Sequence, residues 1–263
     1  MLYTNRMMEN FFQINCGEIL PHLFHVRAGI FVTIFETNLG WAMIDSGYGL
    51  KDFDHPNLIF RMFTSFTRTP HQPTVCAIHQ IKDFGLPPQQ IKHIFLTHMH
   101  FDHAGGIADF PWATVHVYEK EYQAAIKKTG RLGIGYNRSQ WMDHENWQRY
   151  QATDSTWFGY PAIKLPGFSP EIYMIPMPGH TQGHCMVAFS NGEKWILQTG
   201  SAAYPFYLPR EQQASAPAWF QRWLMGDNLP QLKKLWQDHG NEIQFLSSHE
   251  FRRKTKVETS GSS

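Results

Sequence analysis

Cysteine is scarce in this sequence. The three that occur in 263 residues, Cys16, Cys76 and Cys185, are far apart and odd in number. They form neither a disulfide framework nor a Cys-x-x-Cys zinc knuckle, which suits a reducing compartment. Net charge is almost absent as well: 23 Lys+Arg against 22 Asp+Glu leave +1, so electrostatics give no reason to expect nucleic acid or an anionic membrane as partner. Charged residues make up only 17% against 42% hydrophobic, which excludes disorder by composition. No uninterrupted apolar run reaches the roughly 18–20 residues of a membrane span, and no basic start leads into a signal-length apolar stretch. The expected location is cytoplasmic, with a small molecule as partner and a monomer or homodimer as the assembly. A chain of this length buries a sizeable core.

Histidine is what the sequence has in excess, with fifteen copies. Around them the chain alternates strands and helices, which favours a layered α/β fold. Ile30–Phe35 and Trp41–Ile44 are β-branched or aromatic runs joined by Asn38-Leu39-Gly40, a hairpin signal. Ile94-Phe95-Leu96 predicts a strand running straight into His98. Thr114–Tyr118 predicts another, followed by a helix over Glu119–Lys128. Further strands are expected at Ile172–Ile175, Cys185–Phe189, Trp195–Leu197 and Ile243–Leu246. Helical spacing covers Ala216–His239, with a break at Pro230. Residues 130–170 are crowded with aromatics but lack regular periodicity. They read as an insertion in a single domain over 1–263, either packed on the core or forming a lid or pocket wall. The C-terminal tail from Arg252 reads as solvated.

The chemistry is concentrated in His98-Met99-His100-Phe101-Asp102-His103. In an extended loop alternate side chains share a side, so His98 and His100 can face one ion. Asp102 and His103 diverge in a strand, but on a turn they can face a second ion, and Gly105-Gly106 allow the sharp turn that brings the loop back to the next element. Imidazole with carboxylate suits zinc, manganese or iron, and the lack of cysteine ligands argues against a purely structural zinc. Two later histidines, His180 in Pro178-Gly179-His180-Thr181-Gln182-Gly183-His184 and His249 in Ser247-Ser248-His249, also follow strands. Strand ends are where sites gather in layered α/β folds. His180 can complete three imidazoles with His98 and His100, and His249 can join Asp102 and His103. His184 reads as a supporting or packing residue.

The order H-x-H-x-D-H, P-G-H-T-x-G-H and a late S-H-E, with the early Asp45-Ser46-Gly47, resembles the metallo-β-lactamase-fold superfamily over nearly the whole chain. That resemblance implies an αββα four-layer sandwich with a metal centre at one edge. It also implies one or two divalent ions, zinc foremost. His98, His100 and His180 resemble the ligands of the first metal, and Asp102, His103 and His249 those of the second. The chain departs from the family where a bridging aspartate is usual, because Gly200 is followed by Ser201. A hydroxyl carries no charge and bridges cations poorly, so the second ion should bind more weakly. The centre is then mononuclear, dinuclear but labile, or inactive. Ser201-Ala202-Ala203-Tyr204 is similar to the D-A-x-Y segment of N-acyl-homoserine lactone lactonases, which implies that Tyr204 contacts a substrate carbonyl.

The activity so implied is the opening of a lactone or related ester by metal-activated water, with Asp102 handling the proton and Tyr204 the developing oxyanion. Met7, Met8, Phe11 and Phe12 are candidate linings of an acyl-chain pocket. The alternatives are a thioester hydrolase of glyoxalase II type and a degenerate member that binds metal or ligand without turnover. The absence of a basic patch counts against a nuclease.

Overall fold

The computed structural model describes residues 11–19, 26–203, 206–207, 217–249 and 251–253. Tyr204, Met7 and Met8 lie outside the described residues, as does the tail beyond 253. The first sheet contains β1 (Phe11–Ile19), β2 (Val26–Thr37), β3 (Gly40–Ile44), β4 (Ile91–Phe95), β5 (Thr114–Tyr118) and β6 (Trp147–Tyr150), in that order. The second runs β12 (Ile243–Leu246), β11 (Trp195–Gln198), β10 (Cys185–Ser190), β9 (Ile172–Pro176), β8 (Tyr160–Leu165), β7 (Ser155–Trp157). β13 (Phe251–Arg253) pairs with β2, so the tail expected in solvent begins as a strand of the first sheet.

The hairpin expected between β2 and β3 forms, closing at Thr37↔Gly40. From β3 to β6 the pairs are parallel, which requires crossover connections. Helices α1 (Leu50–Asp54), α2 (Leu58–Thr67) and α3 (Ala77–Asp83), then α4 (Phe101–Ala104), then α5 (Glu119–Lys127) lie in those crossovers. β11 and β12 are likewise parallel, with α6 (Ala218–Met225) and α7 (Leu229–His239) between them. The helical break falls at Gly226, whose φ of 82° stops α6, and not at Pro230. Pro230 sits in the first turn of α7, where its missing N–H removes no helical bond.

Alternation along each strand fixes the layers. Phe35, Ala42, Ile44 and Phe95 of the first sheet meet Met174, Val187, Phe189 and Ile196 of the second in one buried cluster. Phe35 stacks on Phe189 at 4.0 Å between ring centres. On the outer side of the first sheet, Ile34, Met43, Ile94 and Val115 pack on Ala77, Ile81, Ala124 and Ala125 from α3 and α5. On the outer side of the second, Ile175, Met186 and Leu197 pack on Leu232 and Leu235 of α7. This is the expected αββα sandwich.

The 130–170 stretch is more regular than its sequence suggests, since β6, β7 and β8 extend the edges of both sheets. Its aromatics pack in or against the core. Trp141 is buried in the first outer layer, Trp157 in the second, and Phe168 packs edge-on to Phe95. Among the described ring contacts of this stretch, only Tyr136 meets a site histidine. Phe11 packs on Phe189, and Phe12 on Trp41 and Phe84. Among the described residues no helix is long and apolar enough to cross a membrane.

Candidate metal centre

β4 ends at Phe95, the chain bends at Thr97, and it is extended again at His100 before turning into α4. The extended part sends His98 and His100 to one side and buries Met99 on the other. The helical turn then swings Asp102 and His103 toward a neighbouring point, as the residue types suggest. Gly105 and Gly106 serve a different purpose from the one expected. Gly105 is right-handed helical, with φ −61°. The need is for space: a Cβ on Gly105 would lie 2.6 Å from Asp52 Oδ2, and one on Gly106 would strike the Ser46 carbonyl. His180 arrives from the loop after β9 and His249 from the end of β12.

All six candidate ligands converge in two groups, His98–His100–His180 and Asp102–His103–His249, with the ligand atoms of each within 4.8 Å of one another. His180 Nε2 lies 3.0 Å from His100 Nδ1. In the other group His103 Nε2 and His249 Nε2 are 3.1 Å apart, and Asp102 Oδ2 is 3.6 and 3.5 Å from them. Ligands around a tetrahedral ion at roughly 2.0–2.1 Å lie about 3.3 Å from each other. The spacings fit that geometry. The Nε2 atom of His98 is buried with no hydrogen-bond partner among the described residues, which is costly unless something else fills the role.

The protonation states of four of the five imidazoles agree. Burial, followed by the neighbouring imidazoles, pushes His98 and His100 well below the usual histidine range. Burial holds His180 at about 4 despite the Leu224 carbonyl, and lowers His249. His103 moves the other way: burial opposes its charge, but Asp102 and Asp45 outweigh that. Neutral imidazoles keep the lone pairs a cation needs.

The rings are aimed from behind. His180 Nδ1 meets the Leu224 carbonyl at 2.8 Å, and His249 Nδ1 meets the Gly29 carbonyl at 3.2 Å. Both contacts turn Nε2 toward the cluster. His103 Nδ1 lies 2.8 Å from Asp45 Oδ2. Asp45 also accepts from the Thr97 N–H at 2.8 Å and from the Ser248 hydroxyl at 3.1 Å. It does so at φ 62°, a left-handed conformation unusual for a residue with a side chain. Asp45 enters the sequence reading only as part of the D-S-G resemblance, and nothing local reveals that it anchors His103. His184 is a supporting residue: fully buried, it accepts the Ser201 N–H at 3.0 Å, and its ring lies 5.2 Å from that of His98. That bond places Ser201, buried at the end of β11, beside the centre.

Known proteins resemble this chain in sequence and fold. A probable metallo-hydrolase of Mycobacterium tuberculosis is 30% identical over 250 residues, covering 90% of this chain and 79% of that protein. The N-acyl homoserine lactonase AttM of Rhizobium radiobacter is 33% identical over 129 residues, 48% of this chain and 47% of the relative. Among solved structures, an N-acyl homoserine lactone hydrolase with N-hexanoyl-L-homoserine at its catalytic metal centre shares the fold at a TM-score of 0.65 and 20% identity, covering 97% and 96% of the two chains. The dizinc quorum-quenching lactonase AidC does so at 0.60 and 15%, over 93% and 90%. The metallo-beta-lactamase superfamily profile matches residues 27–219. The chain belongs to the metallo-beta-lactamase superfamily.

Proposed function

We propose that this metallo-hydrolase opens a lactone or a closely related ester, with an N-acyl-homoserine lactone-like substrate favoured. The observation that carries the reading is the pair of buried ligand groups with tetrahedral spacing. The Ser201-Ala202-Ala203-Tyr204 segment and the lactonase relatives support the substrate class.

His98, His100 and His180 would hold one divalent ion and Asp102, His103 and His249 a second, with zinc favoured. A divalent ion bound there supplies Lewis acidity, polarising an ester carbonyl and bringing water's ionisation toward neutral pH. Asp102, whose Oδ2 faces both imidazoles of its group, accepts the proton of the attacking water and returns it to the ring oxygen as the acyl C–O bond breaks. Water is thereby added across one bond, giving a hydroxy acid with no further co-reactant. Tyr204, assigned on sequence alone, donates to the carbonyl oxygen as charge develops there.

The test is an assay of acyl-homoserine lactones, aryl esters and thioesters with zinc- or manganese-loaded and chelated protein. Lactone turnover that disappears on chelation is the expected result. Preference for thioesters would move the chain to the glyoxalase II type. Metal retention without turnover of any of the three would make it a binding protein.

A further inference from the structure

We propose that Glu121 is a positioning residue for the His98–His100–His180 half of the centre, acting through the backbone around those ligands without touching any of them. The inference rests on reading that cluster as a metal site. Glu121 lies in the first turn of α5 and is almost completely buried. Its Oε1 accepts from the Met99 N–H at 2.9 Å and the Tyr136 hydroxyl at 3.1 Å. Its Oε2 accepts from the Thr181 hydroxyl at 2.7 Å and the Gly183 N–H at 3.2 Å.

Each donor is tied to a ligand of the same half. Met99 separates His98 from His100. Thr181 follows His180. Tyr136 forms an isolated backbone bridge with His100, and the two rings lie 4.9 Å apart. A side chain at Gly183 would collide with the Glu121 backbone N, so the start of α5 and the loop after His180 are pressed together. One carboxylate therefore joins the three chain segments that surround this ligand group. The other half has its own carboxylate, Asp45, which holds His103 and Ser248.

The donor pattern requires both oxygens to act as acceptors. Each oxygen takes one hydroxyl, which can rotate, and one backbone N–H, which cannot. An amide in place of the carboxylate would set its NH₂ against a fixed N–H in either orientation, so flipping it brings no relief. Glu121→Gln is almost isosteric and tests this directly.

The experiment is titration of metal-free protein with cobalt(II), read by its visible absorption and by competition with a chelator. It is run in a His249→Ala background so that only the three-histidine half is followed. Glu121→Gln is expected to weaken cobalt binding by about 10–100-fold and to alter the ligand-field bands, as loss of a ligand-orienting partner does. Val187→Ala, in the core between the sheets, serves as a control that lowers stability away from the site; it should keep parental affinity and bands. If Glu121→Gln does not fold, Thr181→Val and Tyr136→Phe each remove one donor and should each weaken binding. Parental affinity and spectrum in Glu121→Gln, or in both donor variants, would overturn the proposal, as would an equal loss in Val187→Ala. If the His249→Ala parent takes up no cobalt, the metal-centre reading fails, and this inference with it.

Discussion

At the scale of single residues, the position after Gly200 is the one we propose to set the charge balance of the centre. Gly200 adopts φ 57°, and a Cβ there would lie 2.6 Å from His184 Nε2, so this glycine lets the end of β11 press against the cluster. Ser201 follows, held by His184. With serine there, Asp102 is the one carboxylate among the six converging ligands, and two divalent ions would keep most of their mutual repulsion. Ser201→Asp is therefore expected to tighten binding of the second metal equivalent by about tenfold, some 1.4 kcal/mol. Metal analysis after dialysis measures it. A variant retaining no more metal than the parent would place residue 201 away from the ion. The ligands themselves are legible in the sequence because four of them fall within six residues. Asp45 and Glu121 are not legible. Their partners come from Thr97, His103 and Ser248 in one case and Met99, Tyr136, Thr181 and Gly183 in the other, and no local pattern encodes such meetings.

At the scale of elements, three adjacent strands of the first sheet carry a side-chain chain of their own. His93 Nδ1 on β4 lies 3.0 Å from His116 Nε2 on β5, whose Nδ1 lies 2.8 Å from the Tyr150 hydroxyl on β6. Burial, then the neighbouring His93, pushes His116 down to about 3, and burial lowers His93. An unfolded histidine titrates near 6.5. Between about 6.5 and 3 the unfolded chain therefore binds more protons at this position than the native one, and stability falls as pH drops through that window. Above it both states are neutral and the term vanishes. Urea midpoints measured from pH 7 to pH 4 should fall less steeply in His116→Gln than in the parent, although the variant starts lower at pH 7. Parallel slopes would show that His116 does not contribute. The strands β4 and β5 are readable from their β-branched runs. β6, β7 and β8 are not: Trp147–Tyr150 and Ser155–Trp157 are short and partly exposed, and Pro161 interrupts the third. Runs of three or four residues are too short to display the alternation on which such reading depends.

At the scale of the whole molecule, the ligands come from both layers. His98, His100, Asp102 and His103 follow β4 of the first sheet, whereas His180 and His249 follow β9 and β12 of the second. Bound metal therefore clamps one sheet to the other and stabilises the native state alone. At free metal a hundredfold above its dissociation constant, that linkage is worth about 2.7 kcal/mol. For a domain of this size it corresponds to a rise in Tm of about 5–10 °C. Calorimetry with zinc and with chelator reads it directly, and coincident melting curves would mean that the two layers are not joined through an ion.

His249 occupies an unusual place in this architecture. Its strand, β12, pairs with β11 in the second sheet, yet its ring rests on the Gly29 carbonyl of β2, and the chain then joins β2 as β13. The imidazole thus sits at the seam where the polypeptide steps from one layer to the other. Any breathing of the layers will tug this ring before it disturbs His98 or His100, which lie together on a single loop. Ion exchange at the Asp102–His103–His249 half should therefore begin at the seam.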